Sequence, residues 1–161
     1  LRGSIILHVA VAGMLAIGLA TAGSWKLPVK TDPVARLLGW KDLGTGISSV
    51  LSAARLAQQP YRAVLTDERL LTATLIYYLR HDETPVRAWR ATAKPRDHYE
   101  LTRPYRAAAG ERVLLVSQNA AGGGIPERFA KVERLPPLTV KAGQGGERTL
   151  HLFALSGVTG G

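Results

Sequence analysis

Ile5 through Ala22 form an apolar run in which His8 is the only ionisable side chain. Carried on to Trp25 as a helix at about 1.5 Å per residue, such a run matches the roughly 30 Å hydrocarbon thickness of a bilayer. A membrane therefore constrains this chain before any globular fold does. Two readings compete. As a retained transmembrane helix, the run offers Ala12, Ala16 and Ala20 at four-residue spacing for close helix approach, with Trp25 and Lys26 as its interfacial boundary. As a secretory signal peptide, it offers Arg2 ahead of the apolar stretch and the small-x-small triplet Ala20-Thr21-Ala22 before Gly23. The chain begins at Leu1 rather than Met, which favours the anchor as the tail of something longer. His8 lies near the end of the run, where its ring can reach the interface.

The remaining chain, about 135 residues, is one ordinary domain's length and can bury a real core. It divides as residues 1–25, a transmembrane helix; 26–31, a polar linker; and 32–161, a soluble domain. The absence of cysteine excludes a disulfide framework, a thiol nucleophile and a thiolate metal site. Of 21 Lys and Arg against 12 Asp and Glu, only Arg2 precedes the run, leaving a formal excess of +8 on the rest. That field attracts anionic headgroups, phosphorylated substrates or nucleic acid, and beside a membrane anchor lipid phosphate is the nearest candidate.

Asp32-Pro33 reads as a helix start, with a break near Gly39 and the main helix running from Trp40 to before Pro60. Its apolar residues Leu43, Ile47, Val50 and Leu51 fall at helical spacing, although Gly44 and Gly46 weaken the pattern. A short strand over Ala63–Thr66, a helix over Asp67–Arg80 and a strand over Val86–Arg90 follow. After a polar stretch, Arg112-Val113-Leu114-Leu115-Val116-Ser117 is a continuous apolar run that predicts a strand buried on both faces. A Gly122-Gly123-Gly124 loop, a turn or short helix over Pro126–Ala130, and late strands near Lys131–Val140 and Thr149–Leu155 complete the pattern. The expected fold is a small α/β sandwich with a mostly parallel sheet and a terminal strand pair.

Self-sufficient catalytic chemistry is not legible. Histidines 8, 81, 98 and 151 show no His-x-x-x-His pairing, and Asp97-His98-Tyr99-Glu100 lacks a recognised metal-ligand spacing. Ser117 lacks the flanking glycines of a nucleophile elbow. The triple glycine could cradle a phosphate, but neither phosphate-loop pattern is present and a surface loop is the favoured reading. More suggestive is the stretch from Val86 to Arg106, which interleaves Arg87, Arg90, Lys94, Arg96, Arg103 and Arg106 with Trp89, Tyr99 and Tyr105. Arginine clamps phosphate through paired donors, and aromatic faces stack on a sugar or base. Arg96, Tyr99, Arg90 and Arg103 are the ligand-contact candidates.

The order of segments adds a further clue. A terminal membrane helix, a short linker, Gly39-Trp40-Lys41-Asp42-Leu43, the strand Ala63-Val64-Leu65-Thr66-Asp67, the helix ending Leu75-Ile76-Tyr77-Tyr78, the stretch Arg96-Asp97-His98-Tyr99-Glu100-Leu101, and Val113-Leu114-Leu115-Val116 together cover nearly the whole chain. This arrangement resembles the C-terminal region of bacterial glycosyltransferase family 39, polytopic enzymes of the GT-C architecture that include protein mannosyltransferases and the aminoarabinose transferase of lipid A. The resemblance implies transfer of a sugar from a polyprenyl-phosphate donor to an acceptor at the outer face of the bacterial inner membrane. It implies that catalytic residues lie upstream, so that none is assigned here, with no cofactor in this fragment and a divalent metal in the missing membrane portion. Implied partners are the remaining membrane helices of the same protein, polyprenyl-phosphate sugar and anionic lipid headgroups, not nucleic acid.

The family segment commonly reads Arg-Asn-Gln-Tyr-Asp-Leu, so Asp97, His98 and Glu100 are departures from it. The resemblance also implies a periplasmic domain, whereas Lys26, Lys30, Arg36 and Lys41 after the helix, against Arg2 before it, favour the cytoplasm. The expected role is an accessory domain shaping an acceptor or lipid-headgroup entrance, with Arg96 and Tyr99 making the contact. The alternative is a non-enzymatic anchored or secreted binding module whose basic face docks anionic partners. A stand-alone nucleotide-binding enzyme, using Gly122–Gly124, is a third possibility.

Overall fold

A computed structural model describes residues 2–21, 35–108, 110–143 and 146–159. The chain divides into two units, Leu1–Leu38 with Lys141–Glu147, and Gly39–Val140 with Arg148–Gly161. In the first unit, helix α1 spans Arg2–Ala20. Its apolar side chains point to every side, and Ile5, Leu7, Val9, Met14, Leu15 and Ile17 among them are exposed. The His8 ring nitrogen lies 2.6 Å from the Ser4 carbonyl oxygen, so the one ionisable group of the run is satisfied within the helix. Thr21 closes the last turn, its backbone N–H and its hydroxyl both donating to the Ile17 carbonyl.

Of the expected helix through Trp25, the structure describes α1 over Arg2–Ala20. The 19 residues of α1 reach about 28 Å at 1.5 Å each, and among the described residues no helix is long and apolar enough to cross a membrane. Trp25, Lys26, the linker and the Asp32-Pro33 helix start lie outside the described residues, as does the Gly160-Gly161 tail.

The second unit is an α/β domain. Helix α2 (Trp40–Leu56) starts after Gly39, whose φ of 83° is the left-handed conformation that glycine adopts without strain. Strand β1 (Val64–Thr66), helix α3 (Arg69–Tyr78), strand β2 (Val86–Ala88), helix α4 (His98–Thr102), strand β3 (Arg112–Ser117) and the long strands β4 (Phe129–Lys141) and β5 (Glu147–Val158) follow. They form one five-stranded sheet in the order β2-β1-β3-β5-β4.

β1 runs parallel to β2, with Val64 opposite Val86, and parallel to β3, with Val64 opposite Leu114. β5 is antiparallel to β3, Leu114 facing Ala154. The sheet is thus mixed, and the expected mostly parallel sheet is corrected. The chain leaves β3, lays β4 at the far edge and returns with β5 between them. Burial on both faces fixes β3 as a central strand but leaves its neighbours' directions open. Edge strand β4 carries Pro136 and Pro137, residues that cannot donate to a further strand and so blunt that edge.

Alternation along the strands sends Val64, Leu114, Val116, Leu150, Leu152 and Ala154 to one face, where they pack with Trp40, Leu43, Ile47 and Leu51 of α2 and Leu71 and Leu75 of α3. Ala63, Leu65, Val113, Leu115, Phe153 and Leu155 face the other way, onto Ile125 and Phe129 with Trp89 and Tyr105. The glycines that weaken the helical pattern of α2 have a packing role. A Cβ on Gly44 would lie 2.7 Å from the Tyr78 Cβ, and one on Gly46 would lie 3.0 Å from the Leu138 side chain. Only glycine at 44 allows α2 to approach α3 this closely. Gly44→Ala is expected to lower stability by about 1–2 kcal/mol in chemical denaturation, overpacking outweighing the gain of about 1 kcal/mol in helix propensity. A variant as stable as the parent would show that the two helices are free to separate.

Candidate anion-binding groove

The amino ends of the parallel strands and the segment after α4 enclose a cavity of about 610 Å³. Arg62 stands just before β1, Arg87 lies within β2, and Arg103 and Arg106 come from the extended segment that follows α4. That segment is held to β2 by the Ala88 N–H donating to the Arg103 carbonyl at 2.9 Å and the Tyr105 N–H donating to the Ala88 carbonyl at 2.8 Å. It therefore acts as a short extra strand that carries Arg103 and Arg106 to the side of Arg87. An adjoining cavity of about 420 Å³ shares Arg62, Glu83 and Glu111 and adds Arg55, Tyr61 and Arg112.

Not all of these cations are available. Arg55 is paired with Asp82 at 2.9 Å, and Arg112 lies over the Tyr61 ring and reaches Glu133 at 3.2 Å. Glu111 is occupied as well: it accepts from the Tyr105 hydroxyl at 3.3 Å and the Ala108 N–H at 3.2 Å, and it lies 3.7 Å from Arg62. Burial, together with the Glu111 charge and hydrogen bond, pushes the Tyr105 phenol up to about 12, so it stays protonated and donates. Among the described residues Arg87, Arg103 and Arg106 form no ion pair. Three unengaged guanidinium groups around one concavity can receive the oxygens of a phosphate or carboxylate through charge-assisted hydrogen bonds.

The four ligand-contact candidates part company. Arg103 lines the groove. Arg90 is exposed just past the end of β2 and does not line it. Arg96 is committed to Glu100: its Nε donates to Oε1 at 2.7 Å, its Nη2 lies 2.6 Å from the same oxygen, and its backbone N–H donates to Oε2 at 2.8 Å. The hydrogen bond to Glu100, with the attraction of nearby carboxylates, raises the Arg96 guanidinium above its ordinary value. Asp97 caps α4 by accepting the N–H groups of Tyr99 and Glu100 at 2.7 and 3.0 Å. The Arg96–Leu101 stretch is thus a capped helix stapled by an ion pair to a carboxylate that is 2% exposed. Tyr99 lines a separate cavity with Glu68 and Arg69.

Arg62 is not legible in the sequence as a member of this group. It is remote in the chain from Arg87, Arg103 and Arg106, and the β1–β2 register, not any sequence spacing, brings it beside β2. The remaining motifs resolve differently. Among the described residues no three His, Cys, Asp or Glu side chains are placed to hold a metal ion. Ser117 is buried and donates to Asp67 Oδ2 at 2.5 Å. Gly122, Gly123 and Gly124 all have positive φ, and Gly123 lies against that same carboxylate, a Cβ on it falling 3.0 Å from Asp67 Oδ2. A phosphate there would meet a negative charge at close range, which disfavours the phosphate-cradle reading. No protein-family model matches the chain, and neither does any curated protein or solved structure.

Proposed function

We propose that this chain is the C-terminal accessory part of a bacterial membrane glycosyltransferase that moves a sugar from a polyprenyl-phosphate donor to an acceptor, and that its basic groove receives the donor's phosphate or an anionic lipid headgroup. The observation that carries the reading is the convergence of Arg62, Arg87, Arg103 and Arg106, from three separate segments, on one concavity of about 610 Å³. The resemblance to glycosyltransferase family 39 supplies the reaction. Transfer itself is assigned to groups upstream, with any divalent metal among them.

Helix α1 supports a membrane setting. A helix apolar on all sides needs apolar surroundings, and none of the exposed residues Ile5, Leu7, Val9, Met14, Leu15 and Ile17 is covered. In this proposal the remaining membrane helices of the same protein supply that cover. The globular unit then faces the periplasm, its excess positive charge directed at lipid phosphate rather than nucleic acid.

The test titrates the full chain, in neutral detergent, with geranyl phosphate and with geraniol. The phosphate is expected to bind and the alcohol not. Arg87→Gln with Arg103→Gln should weaken binding by about 30-fold, taking roughly 1 kcal/mol for each cation beside a phosphate surface, and the affinity should fall as salt is added. Equal affinity of the parent and the double variant would remove the groove from the donor path. Phosphate binding in a chain whose full-length form shows no sugar transfer would instead favour the non-enzymatic docking module.

A further inference from the structure

The two edges of the sheet are finished differently. Beyond β2, the segment carrying Arg103 and Tyr105 pairs with Ala88 and closes that edge. Beyond β4 there is no further strand among the described residues. The prolines at 136 and 137 protect only the carboxyl half of β4. Its amino half, from Ala130 to Leu135, has a backbone N–H at every residue, and the side chains from Ala130 to Arg134 are all exposed. Val132 is among them, one of the large apolar side chains left in the open. An edge of this kind presents a row of backbone donors and acceptors to which another strand can add.

We propose that this edge pairs with the same edge of a second copy of the chain, antiparallel and centred on Val132, so that two sheets join into one. Backbone groups point outward at alternate residues of an edge strand, so when identical edges pair about a two-fold axis the axis passes through a residue rather than between two. Charge then selects which residue. Centring on Lys131, Glu133 or Arg134 sets that side chain against its own copy, a like-charge pair on the axis. Centring on Val132 sets valine against valine and Lys131 against Glu133 of the other copy, twice over. Both members are available for this. Lys131 forms no ion pair among the described residues, and Glu133, although Arg112 reaches its Oε2 at 3.2 Å, remains 65% exposed. Arg134 does not interfere, because it is drawn back to the Ala120 carbonyl and lies over the Phe153 ring. The inference goes beyond the proposed function and uses no residue of the arginine groove.

The full chain in neutral detergent tests it, and the absence of native cysteine makes a single introduced thiol a clean probe. Val132→Cys is expected to give a disulfide-linked dimer under mild oxidation, because residues directly opposite on antiparallel strands lie about 4.5–5.5 Å apart, within disulfide reach. Thr139→Cys, exposed on the same strand but past the prolines, should not. Sedimentation velocity on the parent chain should show a monomer–dimer equilibrium at micromolar concentration, since one strand per copy is a small contact. Lys131→Glu should weaken association about tenfold or more, two favourable cross-strand pairs becoming two unfavourable ones, and Lys131→Glu with Glu133→Lys should restore it. A parent chain that stays monomeric, equal cross-linking at 132 and 139, or a double variant no tighter than Lys131→Glu overturns the proposal. A dimer indifferent to Lys131→Glu overturns it as well, by placing the contact elsewhere, α1 included. Arg87→Gln should leave the dimer unchanged, so failure here is distinguishable from failure of the phosphate reading.

Discussion

Leu114→Ala and Leu115→Ala are each expected to lower the free energy of unfolding by about 3 kcal/mol, within the range for truncating a fully buried leucine. The two residues are adjacent on β3 and both are completely buried, but they point into different cores. Leu114 packs with α2 and α3, and Leu115 packs with Ile125 and Phe129. In a sheet with one wet face, one of the pair would cost little. Here both faces are dry, so both should be costly. Urea denaturation followed by circular dichroism reads the result. A cost under about 1 kcal/mol for Leu115→Ala would mean that the layer of turns and aromatics over the second face is no true core.

Asp82→Ala is expected to lower stability by about 2–3 kcal/mol at neutral pH, by removing a buried acceptor with several charge-assisted hydrogen bonds. The Asp82 carboxylate accepts from Arg55 Nη1 at 2.9 Å and from the Thr84 N–H at 3.0 Å, and Ser48 Oγ reaches it at 3.4 Å. It thereby ties two turns of α2 to the loop leaving α3. Burial by itself would raise this carboxyl, but the hydrogen bonds from Arg55 and Thr84 and the Arg55 charge bring it below its ordinary value. A carboxyl whose folded value lies below its unfolded one adds stability in full above the unfolded value and loses it as pH falls through the folded value. The gap between parent and Asp82→Ala should therefore be flat near neutrality and close below about pH 4. A gap that persists unchanged into acid would show that the loss comes from packing rather than from the charge.

The parts of this protein legible in its sequence are those set by local periodicity. The Arg112–Ser117 strand is readable to the residue, because only a strand buried on both faces presents an unbroken apolar run between turns. The start of α2 at Trp40 is readable because Gly39 marks a left-handed break. The helix α4 is hidden inside the polar stretch before Arg106. Five residues are too few to show a period, and its stability comes from the Asp97 cap and the Arg96–Glu100 pair. The same pair explains why Arg96 is a misleading ligand candidate: an exposed arginine four residues before a glutamate has a partner already. The basic stretch is visible as composition, but its sorting into groove-lining Arg87, Arg103 and Arg106 and outlying Arg90 depends on which residues follow β2 as an extra strand.

Hydrophobic spacing alone determined that this chain has an apolar leading helix and a domain of alternating helices and strands, and composition that it carries a strongly positive field. Tertiary structure decided that the sheet is mixed, that Arg62 joins three arginines distant in sequence, and that a glycine loop lies against a carboxylate rather than a phosphate. The physical reason is range. Periodicity and capping act over a few neighbouring residues, whereas strand order and the convergence of like charges are set by register between segments that the chain brings together only when its core is buried.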